Sequence, residues 1–111
     1  MRVAVIGAGG WGTALAMLLV EAGHSVRLWV RRPALCEQLV RERENTPYLP
    51  GVSLPESLGY TTSLVEAVHA AQLLVFAVPS HAMRAIASAL APFLPGAPVV
   101  MRRSNTGRVE I

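Results

Sequence analysis

The segment Val3-Ala4-Val5-Ile6, followed at once by Gly7-Ala8-Gly9-Gly10-Trp11-Gly12, constrains this chain more than any other feature. Four consecutive apolar residues ending at a glycine read as a strand buried on both faces, as in a parallel sheet. Gly7, Gly9 and Gly12 make a GxGxxG pattern, which is weak by itself. Between such a strand and a helix-forming segment it becomes a dinucleotide-binding fingerprint. The first glycine permits the tight turn, the second lets the backbone approach a pyrophosphate, and the third lets helix and strand pack closely. The amino terminus of the helix then offers N–H groups and the positive end of its dipole to the phosphates. A glycine-rich turn with no ligand is the competing reading.

The rest of the chain repeats the same alternation. Trp11 to Ala22 carries Leu15, Leu18 and Leu19 at helical spacing, with Gly23 as the stop signal. Val26, Leu28 and Val30 form a second strand that runs into Arg31-Arg32, and Pro33 opens a helix through roughly Arg43. Asn45 to Pro55 holds Pro47, Pro50, Pro55 and Gly51, a density that blocks helix and central strand and predicts an ordered loop. Gly59 to Thr62 is a weak third strand, and Ser63 with Glu66 three residues on makes a capping box for the next helix. Leu73 to Val78 is a buried strand ended by Pro79, His81 to Leu90 a helix, Pro92 to Pro98 a turn region, and Val99 to Met101 a last strand. The expectation is an α/β fold: one Rossmann-type domain over residues 1–111, doubly wound, with five mostly parallel strands in the order 3-2-1-4-5.

With 111 residues the chain holds one domain's worth of sequence. Its 52% hydrophobic and 15% charged content suits a packed core rather than a disordered tail. No apolar run approaches the ~20 residues of a membrane span, and no secretory leader is evident, so a cytoplasmic location is expected. Cys36 is the single cysteine, which fits a reducing compartment and leaves no thiolate cluster for a metal. All ten basic residues are arginine and all seven acidic residues are glutamate. The arginines are scattered rather than clustered with aromatics, which points away from nucleic acid. Ser80-His81 is not read as a catalytic pair, because adjacent residues rarely face each other and no aspartate exists to orient the histidine. Ser80 reads instead as the cap of the following helix. No catalytic residue or metal ligand is assigned, His24 and His69 receive no role, and Trp29 and Phe76 read as core.

A site that prefers NAD usually carries an acidic residue at the end of the second strand, on the ribose 2′-hydroxyl. This chain carries Arg31-Arg32 there. Guanidinium groups can bind a 2′-phosphate bidentately, so NADP(H) is expected in preference to NAD(H).

Four spaced motifs carry a family resemblance: Gly7 to Ala16; Leu28-Trp29 before Arg31-Arg32; Asn45 with Tyr48-Leu49-Pro50-Gly51-Val52 and Leu54-Pro55; and Phe76-Ala77-Val78-Pro79-Ser80-His81. Together they resemble the N-terminal domain of NAD(P)-dependent sn-glycerol-3-phosphate dehydrogenase, up to about residue 100. That family reduces dihydroxyacetone phosphate to sn-glycerol 3-phosphate for phospholipid synthesis, using a Rossmann domain followed by a helical substrate domain. The resemblance implies that Gly10 and Trp11 lie along the cofactor, Arg31 and Arg32 hold the adenosine end, Tyr48 closes over it, and Pro79-Ser80 stand beside it. Where the family continues into a Lys-Gly motif, near Asn105, this chain diverges into Met101 to Ile111, which suggests a truncated or isolated domain. On that reading the chain alone lacks activity, and apolar surface at the last strand invites self-association. The runner-up is a stand-alone NADP(H)-binding or regulatory module without chemistry, ahead of a related Rossmann enzyme acting on another small acid.

Overall fold

The computed structural model describes residues 1–93 and the backbone of two later strands, Val99–Arg102 and Val109–Glu110. Strand β1 (Arg2–Ile6) leads through the glycine turn into helix α1 (Gly10–Glu21), and β2 (Ser25–Trp29) leads into α2 (Pro33–Glu42). After the proline-rich excursion come β3 (Gly59–Thr61), α3 (Leu64–Val68), β4 (Leu73–Phe76), α4 (Ser80–Leu90), β5 (Val99–Arg102) and β6 (Val109–Glu110). The six strands form one sheet in the order β3-β2-β1-β4-β5-β6. Pairing is parallel from β3 across to β5, with Val3 beside Val26 on one side and beside Leu73 on the other.

The unbroken apolar run of β1 follows from its central place. Val3 and Val5 face one core with Val26, Leu28, Leu35 and Leu39, where α1 and α2 pack. Ala4 and Ile6 face a second core with Trp29, Leu74, Phe76 and Ala67, where α3 and α4 pack. Burying both faces of a strand removes the polar half of the usual alternation. At ~25 cal/mol per Å² of apolar surface removed from water, these two layers are the principal stabilising contribution.

Helix ends follow their local chemistry. Gly23, after α1, has φ +98, and Arg43, after α2, adopts the left-handed conformation with φ 54. Ser63 caps α3, its Oγ accepting from the Glu66 N–H at 3.2 Å. The excursion after α2 is ordered: the Leu54 N–H donates to the Arg43 carbonyl at 2.8 Å, and Asn45 and Leu49 form an antiparallel bridge.

Three expectations change. The sheet has six strands, because Val109–Glu110 pairs antiparallel with β5; two residues are too few to display any periodicity. The fourth strand stops at Phe76 rather than Val78, although the Ala77 N–H still donates to the Ile6 carbonyl at 2.8 Å. Ser80 is the first residue of α4, not its cap; Pro79 occupies the cap position and makes no side-chain cap bond. Of the turn expected over 92–98, residues 94–98 lie outside the described residues, as does Asn105.

Candidate functional site

The three fingerprint glycines are required by different neighbours. Gly7 has φ +126, a conformation that L side chains rarely adopt, and a Cβ there would strike the Ala77 carbonyl oxygen. A Cβ on Gly12 would strike the Gly7 carbonyl oxygen and lie 3.1 Å from the Ala77 Cβ. Both are demanded by the packing of α1 and β1 on the end of β4. Gly9 differs: its φ of −73° suits any residue, and a Cβ there meets nothing within 4 Å. Nothing described in the protein requires glycine at position 9, whereas a phosphate drawn close to the backbone would.

Gly9 is also the N-cap of α1; among the described residues no side-chain cap bond is made there, and the helix carries no acidic residue in its first turn. The dipole end is left to whatever anion reaches it. Gly10 packs under the excursion, where a Cβ would come within 2.9 Å of the Tyr48 carbonyl oxygen. Trp11, on the same turn, is 36% exposed.

Beside this turn lies a cleft of about 270 Å³ lined by Ala8, Arg31, Arg32, Leu35, Tyr48 and Pro79. Ala8 follows β1, Arg31 follows β2 and Pro79 follows β4, so the cleft sits outside the carboxyl ends of the strands. It lies where the chain order reverses about β1, the position at which open α/β sheets take ligands. Among the described residues its lining includes two guanidinium groups and no carboxylate. Arg32 Nη2 donates to Tyr48 Oη at 2.7 Å, with the guanidinium carbon 5.6 Å from the ring centroid. These features fit an anionic, aromatic-bearing ligand such as a dinucleotide.

The structure therefore gathers Arg31, Arg32, Tyr48 and Pro79 around one cleft, with Gly7, Gly9, Gly10, Trp11 and Gly12 on the turn that carries Ala8 and Ser80 one step beyond Pro79. Trp29 and Phe76 are core residues, and Trp29 Nε1 donates to the Thr62 carbonyl at 2.9 Å. Sequence reasoning gave no role to Asn45, which is fully buried, with Nδ2 donating to the Ala8 carbonyl and to Thr13 Oγ1, each at 2.8 Å. The available signal was an asparagine at the head of a proline-rich loop, a position suited to side-chain-to-backbone bonding.

The groups with shifted acidity lie off the cleft. Burial pushes the Tyr60 phenol above its ordinary value, with the nearby Arg43 guanidinium opposing. Burial, aided by Glu37, raises the Cys36 thiol, which works against thiolate reactivity. Among the described residues no three His, Cys or Glu side chains gather as a metal site, and no helix is long and apolar enough to cross a membrane.

Comparison with known proteins identifies the family and the fold. The glycerol-3-phosphate dehydrogenase [NAD(P)+] of Desulfotalea psychrophila is 53% identical over 93 residues, which are 84% of this chain and 27% of the relative. That of Moorella thermoacetica is 52% identical over 108 residues, 97% of this chain and 32% of the relative. The crystal structure of the Coxiella burnetii glycerol-3-phosphate dehydrogenase superposes with a TM-score of 0.87 at 29% identity, covering 92% of this chain and 32% of that one. The yeast enzyme superposes with a TM-score of 0.85 at 26% identity, over 93% of this chain and 33% of its own. The chain thus spans about a third or less of the length of these relatives. Residues 2–104 match the family described as NAD-dependent glycerol-3-phosphate dehydrogenase N-terminus, and the chain belongs to that family.

Proposed function

We propose that this chain is the nicotinamide-dinucleotide-binding part of a glycerol-3-phosphate dehydrogenase, the activity that its curated relatives carry in their names. The observation that carries the reading is Gly9: a helix start without a side-chain cap bond, whose glycine no described neighbour requires, next in sequence to Ala8 on the lining of a cleft that also holds Arg31 and Arg32.

In this reading the pyrophosphate lies against the turn from Gly7 to Gly12, beside Gly10 and Trp11. Arg31 and Arg32 hold the adenosine ribose and its 2′-phosphate, and Tyr48 covers that end. Pro79 and Ser80 border the cofactor where β4 gives way to α4. When bound, the nicotinamide supplies a hydride for reduction of dihydroxyacetone phosphate, the step that furnishes glycerol phosphate for phospholipid synthesis. The chain's own residues bind and orient; the two arginines favour NADP(H) over NAD(H) through charge-assisted bonds.

Calorimetric titration with NADPH and NADH tests the reading. NADPH is expected to bind, and more tightly than NADH; a folded chain that binds neither overturns it. Binding of NADPH with no reductase activity even in the full reading frame would favour a stand-alone sensing module instead.

A further inference from the structure

We propose that Asn45 is a positioning residue that holds the two halves of the dinucleotide site in register. This rests on the cofactor reading above and adds the device that aligns the phosphate-binding turn with the adenosine-binding side chains.

Asn45 is attached in two directions at once. Its side-chain amide donates to the Ala8 carbonyl, between the first two fingerprint glycines, and to Thr13 Oγ1 in the first turns of α1. Its main-chain carbonyl accepts from the Tyr48 N–H at 3.3 Å and the Leu49 N–H at 2.7 Å, forming the turn that presents the Tyr48 ring to Arg32. Asn45 and Thr13 are both fully buried, so water competes little for these bonds.

The excursion is secured on its own side too. Gln38 Nε2 donates to Thr46 Oγ1 at 2.7 Å, and the Gly51 N–H donates to Glu44 Oε2 at 3.1 Å. Tyr48 therefore keeps its local turn whether or not the Asn45 side chain is present. What the side chain adds is the registry between that turn and the glycine turn. A ligand that spans both halves needs this registry, and a ligand that touches only the adenosine half does not.

The test uses the 111-residue chain and its Asn45→Ala and Thr13→Val variants, titrated with NADPH and with 2′-AMP, which lacks the pyrophosphate. Folding is followed by circular dichroism. Asn45→Ala is expected to weaken NADPH at least tenfold and Thr13→Val about threefold, with 2′-AMP affinity held within about twofold in both. Thr13→Val keeps the side-chain shape, so it carries the test if Asn45→Ala does not fold. A folded variant with unchanged NADPH affinity, or with equal losses for both ligands, overturns the proposal alone. A wild-type chain that binds neither ligand overturns the cofactor reading and this proposal with it.

Discussion

Arg32 and Tyr48 form a bonded pair on the lining of the cleft: guanidinium to phenol oxygen at 2.7 Å, with the cation 5.6 Å from the ring centroid. One residue leaves the second strand and the other comes from the proline-rich excursion, sixteen positions later. The pairing orients a planar, permanently charged donor at the cleft without using all of its N–H groups. A guanidinium has five such donors and the phenol engages one, so the remainder can meet a phosphate.

Arg32→Ala is accordingly expected to lower the ratio of NADPH to NADH affinity. The site is exposed, so the loss should be roughly tenfold or less, about 1.4 kcal/mol, rather than the full value of a buried charged bond. NADH affinity should change little. Calorimetry at two salt concentrations checks this, since the preference should shrink as salt rises. An unaltered ratio in the variant would remove Arg32 from the 2′-phosphate site.

What was legible in the sequence was local or strongly periodic. β1 could be read because Val3 to Ile6 face cores on both sides, and the start of α3 because Ser63 and Glu66 are three residues apart. Even there, tertiary detail intervened: Glu66 returns not to the Ser63 N–H but to the Thr61 hydroxyl, which itself accepts from Ser63. Arg31, Arg32, Tyr48 and Pro79 were found through strand ends and family motifs, and the sheet brings them to one cleft. The role of Asn45 was hidden because its partners lie 37 and 32 residues away, and nothing in a proline-rich stretch reveals which backbone it will meet.

Tyr60 gives a pH-dependent expectation. Its hydroxyl is buried without a hydrogen-bond partner among the described residues, and burial raises its pKa above the ordinary value near 10. A raised folded pKa means the neutral phenol is favoured in the native state. Its contribution to stability is thus complete below about pH 10 and lost as pH rises through the folded value. Tyr60→Phe keeps the ring beneath Arg43 and removes the orphaned hydroxyl. Stability at neutral pH should hold or rise by up to about 1 kcal/mol, and the alkaline decline should flatten. Urea melts at neutral and alkaline pH measure both; a loss above about 1 kcal/mol at neutral pH would mean the hydroxyl is satisfied.

Assayed alone, these 111 residues are expected to oxidise no NADPH in the presence of dihydroxyacetone phosphate. Ketone reduction needs a proton donor near the developing alkoxide; the family resemblance implies that the lysine of the Lys-Gly motif would serve, and these 111 residues contain no lysine. Arginine cannot substitute, because a pKa above ~12 keeps its proton in place at neutral pH. The decay of NADPH absorbance with substrate in large excess is the assay. Turnover on the order of 1 per second would show a proton donor among the residues at hand.

The contrast between Gly7 and Gly9 separates what the fold requires from what the ligand requires. Gly7→Ala places a methyl against the Ala77 carbonyl oxygen at φ +126, combining backbone strain with overpacking. Together these should cost about 3 kcal/mol or more, enough to unfold much of a marginally stable domain. Gly9→Ala places the same methyl in open space at a φ of −73°, so stability should stay within about 0.5 kcal/mol of wild type. That methyl would, however, occupy the approach of the pyrophosphate to the start of α1, and NADPH affinity should fall tenfold or more. Thermal melts and NADPH titration on the two variants read these effects independently. If Gly9→Ala binds NADPH as tightly as wild type, the open face at Gly9 is not where the phosphates lie, and the second fingerprint glycine must be explained by something other than a ligand.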